Sequence, residues 1–159
     1  MSRSGKITKR LTAPDPIYDS RLVAKLINVL MKAGKKSIAQ KHVYKALDIL
    51  KEKTKTDPLE TLRQALDNVK PSMEVRSRRI GGAAYQVPSP VRGERKESLS
   101  IRWVINAARA RSNREFHHFS EKLAAELLDA LENKGGAMEK KAQMTKMAEA
   151  NKAFSHFRW

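Results

Sequence analysis

Residues 73–88 read MEVRSRRIGGAAYQVP, and this stretch decides the fold. From Met73 to Arg79 the period is two: Met73, Val75, Ser77 and Arg79 alternate with Glu74, Arg76 and Arg78. Alternation of that kind marks a strand. Gly81 and Gly82 interrupt it where a two-residue hairpin turn needs backbone at positive φ. A second extended run, Ala84 to Val87, completes a β-hairpin over about 73–88. Pro88 and Pro90 have no N–H to donate, so the second strand is an edge with no third strand beside it. With Gly81–Gly82 as the turn, Ile80 faces Ala83, Arg78 faces Tyr85 and Arg76 faces Val87. Arg76, Arg78 and Tyr85 then share one face, an arginine–aromatic pairing suited to phosphates and stacked bases. A seven-residue strand is about 23 Å long at ~3.3 Å per residue, so the arm must project from a small domain. An isolated hairpin is marginal in water, which predicts that this one relies on a partner for order.

Around the hairpin the chain reads as helix. Asp19 or Ser20 caps a first helix with Val23, Ile27 and Leu30 at helical spacing, and Gly34 is placed to end it. A second follows Lys35 and Lys36, with Ala39, Val43, Ala46, Leu47 and Leu50 on one side. The third has the clearest start: Asp57 as N-cap, Pro58 at the first helical position and Glu60 completing a capping-box pattern. Leu59, Leu62, Leu66 and Val69 form its stripe, and Pro71 stops it. Beyond the hairpin a fourth runs from about Glu94 to Ala110 with Leu99, Trp103 and Ala107 inward. A fifth spans roughly Asn113 to Leu131 with Phe116, Phe119, Leu123, Leu127 and Ala130 inward, ending before Gly135–Gly136. The sixth covers about Met138 to Ala153, with Met144, Met147 and Phe154 as contacts. The fold class expected is mainly α: one domain, 15–159, of about six helices, with a protruding two-stranded β-hairpin between the third and fourth.

Length and composition bound the function. At 159 residues folding buries roughly 68–70% of the unfolded chain's surface, so a core needs no staples. There is no cysteine, which excludes thiolate chemistry, zinc ribbons and disulfides. Thirty-three Lys and Arg against 17 Asp and Glu give a net charge of +16. A folded chain so unbalanced repels itself unless a polyanion neutralises it. No apolar stretch approaches the ~20 residues that cross a bilayer. The first acid is Asp15, so residues 1–14 form a basic arm carrying Arg3, Lys6, Lys9 and Arg10.

Catalytic readings find no support. The histidines are His42, His117, His118 and His156, and none has the four-residue spacing of a helical zinc site. On a helix His117 and His118 point about 100° apart and cannot easily share a metal or a substrate. Gly81–Gly82 lacks the Gly-Lys-Ser/Thr of a phosphate loop, and at Gly34 the serine comes one residue late. No enzyme activity, cofactor, metal or small-molecule substrate is expected.

The cations, by contrast, are clustered. Between Lys70 and Lys96 lie Lys70, Arg76, Arg78, Arg79, Arg92, Arg95 and Lys96, with only two acids before Glu97. Arg95, Arg102 and Arg109 recur every seven residues, close to one line along a helix, while Trp103 and Ala107 point into the core. Arg111 and Arg114 extend the charge, and no acid lies between Arg102 and Arg114. A solvated face normally mixes signs, so this one reads as a phosphate track, which the arginine fork suits. Lys35 and Lys36 join it at a helix junction. Near the C-terminus, packing of Phe154 against the core is preferred to a stacking platform, and Trp159 is assigned no role.

These residues carry a resemblance. VRSRRIGGAAYQVP (75–88), DPIY (15–18), MKAGKK (31–36), IRW (101–103), AAR (107–109) and MAEANKAFSHFRW (147–159) resemble the bacterial small-subunit ribosomal protein S seven family, in order and over essentially the whole chain. The resemblance implies a helical bundle with a protruding hairpin that binds the 3′ major domain of small-subunit ribosomal RNA. It implies early assembly of the subunit head, a hairpin near the exit-site tRNA and the mRNA path, contact with neighbouring head proteins, and a cytoplasmic station. Carried over by position, its RNA contacts are the arm cations with Lys35, Lys36, Arg76, Arg78, Arg79, Arg92, Arg95, Arg102, Arg109, Arg111 and Arg114. Ser89–Pro90, the EFHHF run at 115–119 and Thr145 depart from the family pattern. Two rivals stand beside it. A general nucleic-acid-binding module explains the charge but has no need of the hairpin–proline pattern. A ribonuclease using His117 and His118 is the enzyme alternative.

Overall fold

The computed structural model describes residues 11–158, so Arg3, Lys6, Lys9, Arg10 and Trp159 lie outside the described residues. Six α-helices and one hairpin follow in order: α1 Arg21–Leu30, α2 Lys36–Thr54, α3 Pro58–Val69, β1 Met73–Ile80, β2 Ala83–Pro90, α4 Gly93–Ala110, α5 Phe119–Leu131 and α6 Gly136–Ala150. A 3-10 helix, Lys152–Phe157, comes last. One hydrophobic cluster draws on every α-helix, from Val23 and Ile27 through Leu47, Leu62 and Val104 to Leu127 and Ala137. At its centre lies α5, which touches α2, α3, α4 and α6. That position buries Leu123, Ala124, Leu127 and Ala130 together with the polar Ser120, Lys122 and Glu126.

Local chemistry sets the boundaries. Asp57 caps α3 by accepting the Leu59 N–H at 3.3 Å, with Pro58 next to it, where its missing N–H deprives the helix of nothing. Ser20 stands at the N-cap of α1 but makes no side-chain cap bond. The hairpin pairs in the predicted register, Arg76 with Val87, Arg78 with Tyr85 and Ile80 with Ala83. Gly81 and Gly82 have φ of +57° and +92°, the left-handed conformations a tight hairpin turn requires. The second strand runs on to Pro90. Pro88 faces Val75 and Pro90 faces Met73, two residues apart, so both prolines turn their missing N–H away from the partner strand.

Three expectations are corrected. The fifth helix starts at Phe119, not Asn113, because buried Lys122 reaches back to the Arg111 carbonyl and to Asn113 Oδ1 (2.6 Å) and holds residues 111–118 as a turn. Phe116 is therefore only half-buried, with the Arg111 guanidinium 5.8 Å from its ring centre. The sixth helix stops at Ala150, leaving Met147 exposed while Ala148 is buried. Phe154 follows in the 3-10 helix and packs against Tyr85 of the hairpin, outside the core.

Two buried carboxylates fasten segments distant in sequence. Glu126 accepts from Arg111 Nε at 2.8 Å and from the Ala137 N–H at 2.9 Å, so one side chain locks the α4–α5 turn and caps α6. Asp129 binds the same guanidinium. Burial opposes the charge on Arg111, but the hydrogen bonds it donates to Asp129 and Glu126 outweigh that and raise its pKa. A Cβ at Gly135, where φ is +91°, would stand 2.9 Å from Glu126 Oε1, so the loop leaves no room for a side chain. Asp15 accepts the Ile17 and Tyr18 N–H groups and the Tyr44 hydroxyl (2.8 Å), strapping the start of the described chain onto α2.

Burial and then the Asp15 hydrogen bond push Tyr44 up to about 12. A raised folded value stabilises fully below the ordinary tyrosine pKa and is lost as pH rises through the folded one. Tyr44→Phe is expected to lower stability by about 1–3 kcal/mol, since Asp15 loses a buried donor. It should also remove the most alkaline step from a tyrosine absorbance titration, and persistence of that step would refute the strap.

Candidate nucleic-acid interface

The hairpin does not stand free of the protein. Both strands contact α6, and β2 lies against the 3-10 helix. Tyr85 meets Phe154 and Phe157, each at 5.3 Å between ring centres, so its ring is held inside the chain's own aromatic cluster. The expectation that the arm needs a partner for order is corrected accordingly, because the C-terminal segment supplies contacts that an isolated hairpin lacks.

On the same face as Tyr85, at the hairpin base, Glu74 is 5% exposed and accepts from Arg76 Nε at 2.5 Å and from Arg95 Nε at 2.7 Å. Both arginine side chains remain 52% exposed. One carboxylate thus joins strand to helix and fixes the roots of two guanidinium groups whose outer edges stay in solvent. Such partly exposed pairs contribute modestly to stability, yet they restrict where the cations point.

That arrangement forms one side of a groove of about 950 Å³, lined by Arg76, Arg78, Arg92, Arg95 and Arg158, with Val87, Ser89 and Pro90 on the hairpin. Glu94 is the one acid in the lining and Glu74 lies at the base, so five cations against two carboxylates leave a surplus of three. Gly93 and Glu94 open α4 at the groove edge, where the positive end of the helix dipole adds to the field. A groove of this charge has the chemistry to hold phosphates with bidentate arginine contacts.

Along α4, Arg95, Arg102 and Arg109 divide into different tasks. Arg102 is exposed and has no partner among the described residues. Arg109 donates to the Leu30 carbonyl at 3.0 Å, closing the end of α1 beside the turn that carries exposed Lys35 and Lys36. The α4 row therefore meets the α1–α2 turn, about 21 Å from Arg95 at 1.5 Å per residue. Arg79 is exposed on the opposite hairpin face, and Arg92 and Arg114 are exposed with no internal side-chain partner among the described residues. Arg111 differs, because its guanidinium is occupied by Glu126 and Asp129. Lys70 pairs with Asp67 one turn back.

Sequence reasoning missed two contributors. Glu74 was visible, since it shares the period-two face with Arg76 and Arg78, and an acid among arginines on one face signals a pair. Arg158 gave no signal beyond its charge; it reaches the groove only because the 3-10 helix folds back onto Tyr85. The histidines do not assemble: among the described residues no three of His, Cys, Asp or Glu could hold a metal ion. No helix among them is long and apolar enough to cross a membrane.

Comparison with known proteins adds a family. The sequence model of the family described as ribosomal protein S7p/S5e matches residues 2–152. Among curated proteins, the chain is 57% identical to small ribosomal subunit protein uS7 of Carboxydothermus hydrogenoformans and 57% identical to that of Acetivibrio thermocellus. It is 55% identical to the protein of the same name from a Thermoanaerobacter species. In each case the alignment spans 159 residues and the whole of both chains.

If Glu74 is the anchor of the groove, Glu74→Ala should cost about 1–2 kcal/mol in urea denaturation, below the range for a fully buried pair because the arginines are half in water. Amide exchange should quicken over residues 73–90 while α1 to α3 keep their protection. Unchanged exchange in the hairpin would mean that the aromatic cluster alone holds it.

Proposed function

This chain belongs to the ribosomal protein S7p/S5e family, and from that membership we propose how it works: it binds the 3′ major domain of small-subunit ribosomal RNA and nucleates assembly of the subunit head. The coarser role follows from the family itself: a structural, RNA-binding, non-enzymatic constituent of the small ribosomal subunit that serves translation. In the finer reading the hairpin lies near the exit-site tRNA and the mRNA path, neighbouring head proteins contact the surface, and the chain works in the cytoplasm.

The observation that carries this reading is the five-arginine groove ordered by Glu74. A generic polyanion grip needs only loose charge on flexible stems. Here Arg76 and Arg95 are held at their inner edges and α4 presents Arg102 between them and Arg109, so the cations have a defined spacing. Defined spacing favours an RNA of matching shape, and the counterions it releases supply affinity. Lys35, Lys36, Arg78, Arg79, Arg92 and Arg114 extend the surface, Arg158 joins it, and the arm cations Arg3, Lys6, Lys9 and Arg10 complete the proposed set. Arg111 contributes by holding the α4–α5 turn, and Tyr85 by seating the C-terminal segment on the hairpin.

The test is a binding titration against the 3′ major domain, with an unrelated structured RNA of equal length as control, at two salt concentrations. Preference for the ribosomal RNA that survives the higher salt is the expected result. Equal binding that collapses with salt would leave only a general nucleic-acid grip. Arg92, Arg102 and Arg114, changed together to Gln, should make the salt slope shallower by about 2, at ~0.7 per lost phosphate contact on single strands. Their side chains have no internal partner among the described residues, so the melting temperature should stay put. An unchanged slope removes them from the interface.

A further inference from the structure

The run EFHHFS at 115–120 has no part in the surface described so far, yet two of its residues, His118 and Ser120, line a cleft against α2. Between α2 and the N-terminus of α5 lies a pocket of about 350 Å³ walled by the rings of His42, Tyr44 and His118, with Lys41, Lys45, Asp48 and Ser120 supplying its polar groups. Ser120 is fully buried, and its hydroxyl has no hydrogen-bond partner. A buried unpaired hydroxyl costs about 1–3 kcal/mol, and most such groups find a partner. Ser120 is also the second residue of the 13-residue α5, where helix N–H groups have no partner within the helix and the dipole is positive.

The charges around the cleft are few. Lys41 and Lys45 are exposed one turn apart on α2 and so stand on the same side. Asp48 is the one carboxylate in the lining. Glu121 stands next to Ser120 with its carboxylate taken by the His118 N–H at 3.1 Å. Tyr44 also borders the cleft, but its hydroxyl is bound to Asp15. His42 packs edge-on against Phe119, and with His118 and Asp48 it makes no metal site.

We propose that this cleft is a phosphate-binding site in which Lys41 and Lys45 supply charge, His42 and His118 form the walls, and Ser120 Oγ donates a hydrogen bond alongside the first-turn amides of α5. Asp48 in the lining and Glu121, whose carboxylate feels Lys45, offset the two lysines, so the Ser120 hydroxyl and the first-turn amides carry the recognition of a phosphodiester or of free phosphate monoanion. Buried hydroxyl and helix terminus together explain why the site takes an anion.

Full-length protein labelled with nitrogen-15 is titrated with sodium phosphate against sodium chloride of equal ionic strength. Saturable amide shifts confined to Phe119, Ser120 and their neighbours are expected, and they should vanish in Ser120→Ala and in the double variant Lys41→Gln, Lys45→Gln. Should Ser120→Ala fail to fold, the lysine pair, both exposed, decides alone. The second arm rests on the RNA-binding reading: the lysine variant is compared with wild type on the 3′ major domain. A salt slope shallower by about 0.7–0.9 would identify an RNA phosphodiester as the source. Saturable shifts with an unchanged slope identify free phosphate. Neither shifts nor a changed slope overturns the site, whereas a wild type that binds no RNA defeats the earlier reading and leaves the phosphate arm to judge this one.

Discussion

Among the described residues three carboxylates are buried, Asp15, Glu74 and Glu126, and each closes a junction that apolar packing alone would leave loose. In a chain with a surplus of sixteen positive charges, donors for a buried acid are plentiful. Withdrawing a carboxylate from water is unfavourable, and only good geometry with several hydrogen bonds offsets it. Every one of the three meets that condition: Asp15 with two backbone amides and the Tyr44 hydroxyl, Glu74 with two guanidinium groups, Glu126 with Arg111 and the first turn of α6. The junctions they close are the strap onto α2, the hairpin onto α4, and the α4–α5 turn onto α6. Leucine contacts hold the helices together, and the acids tie these three junctions with directional bonds.

The same logic separates arginines that look alike in sequence. Arg102 and Arg111 lie nine residues apart in a stretch without acids, and charge patterning alone treats them as one track. Folding brings Glu126 and Asp129 from the far side of a turn to Arg111 and, among the described residues, brings no partner to Arg102. A phosphate track is therefore defined by what long-range contacts leave unpaired. Counting cations along a helix overestimates it by those that internal carboxylates absorb.

What could be read beforehand follows from the range of the forces involved. The hairpin register was legible because period-two alternation and a Gly-Gly turn are local and allow one solution. The α3 start was legible for the same reason, since Asp57 and Pro58 act within one turn. The start of α5 was not: Phe116 has helical spacing with Phe119 and Leu123, but Lys122 holds the 111–118 segment in another shape. Nor was the position of Phe154, whose partner Tyr85 lies nearly seventy residues earlier. The mainly helical fold and its inserted hairpin were thus in the sequence, while the wall of the groove that Arg158 supplies was a tertiary fact.

The aromatic cover of the hairpin has a consequence for the order in which the groove comes into being. A chain leaves its exit tunnel from the N-terminus, and its parts fold as they emerge. Strands β1 and β2 and the start of α4 are made well before the Lys152–Phe157 segment that packs on Tyr85 and brings Arg158 into place. A nascent or C-terminally clipped chain therefore displays its hairpin cations on an open face, indifferent to what approaches. The bounded groove exists only after the last turn has folded back, so the enclosed arrangement of its cations comes at the end of synthesis while their charge is present much earlier.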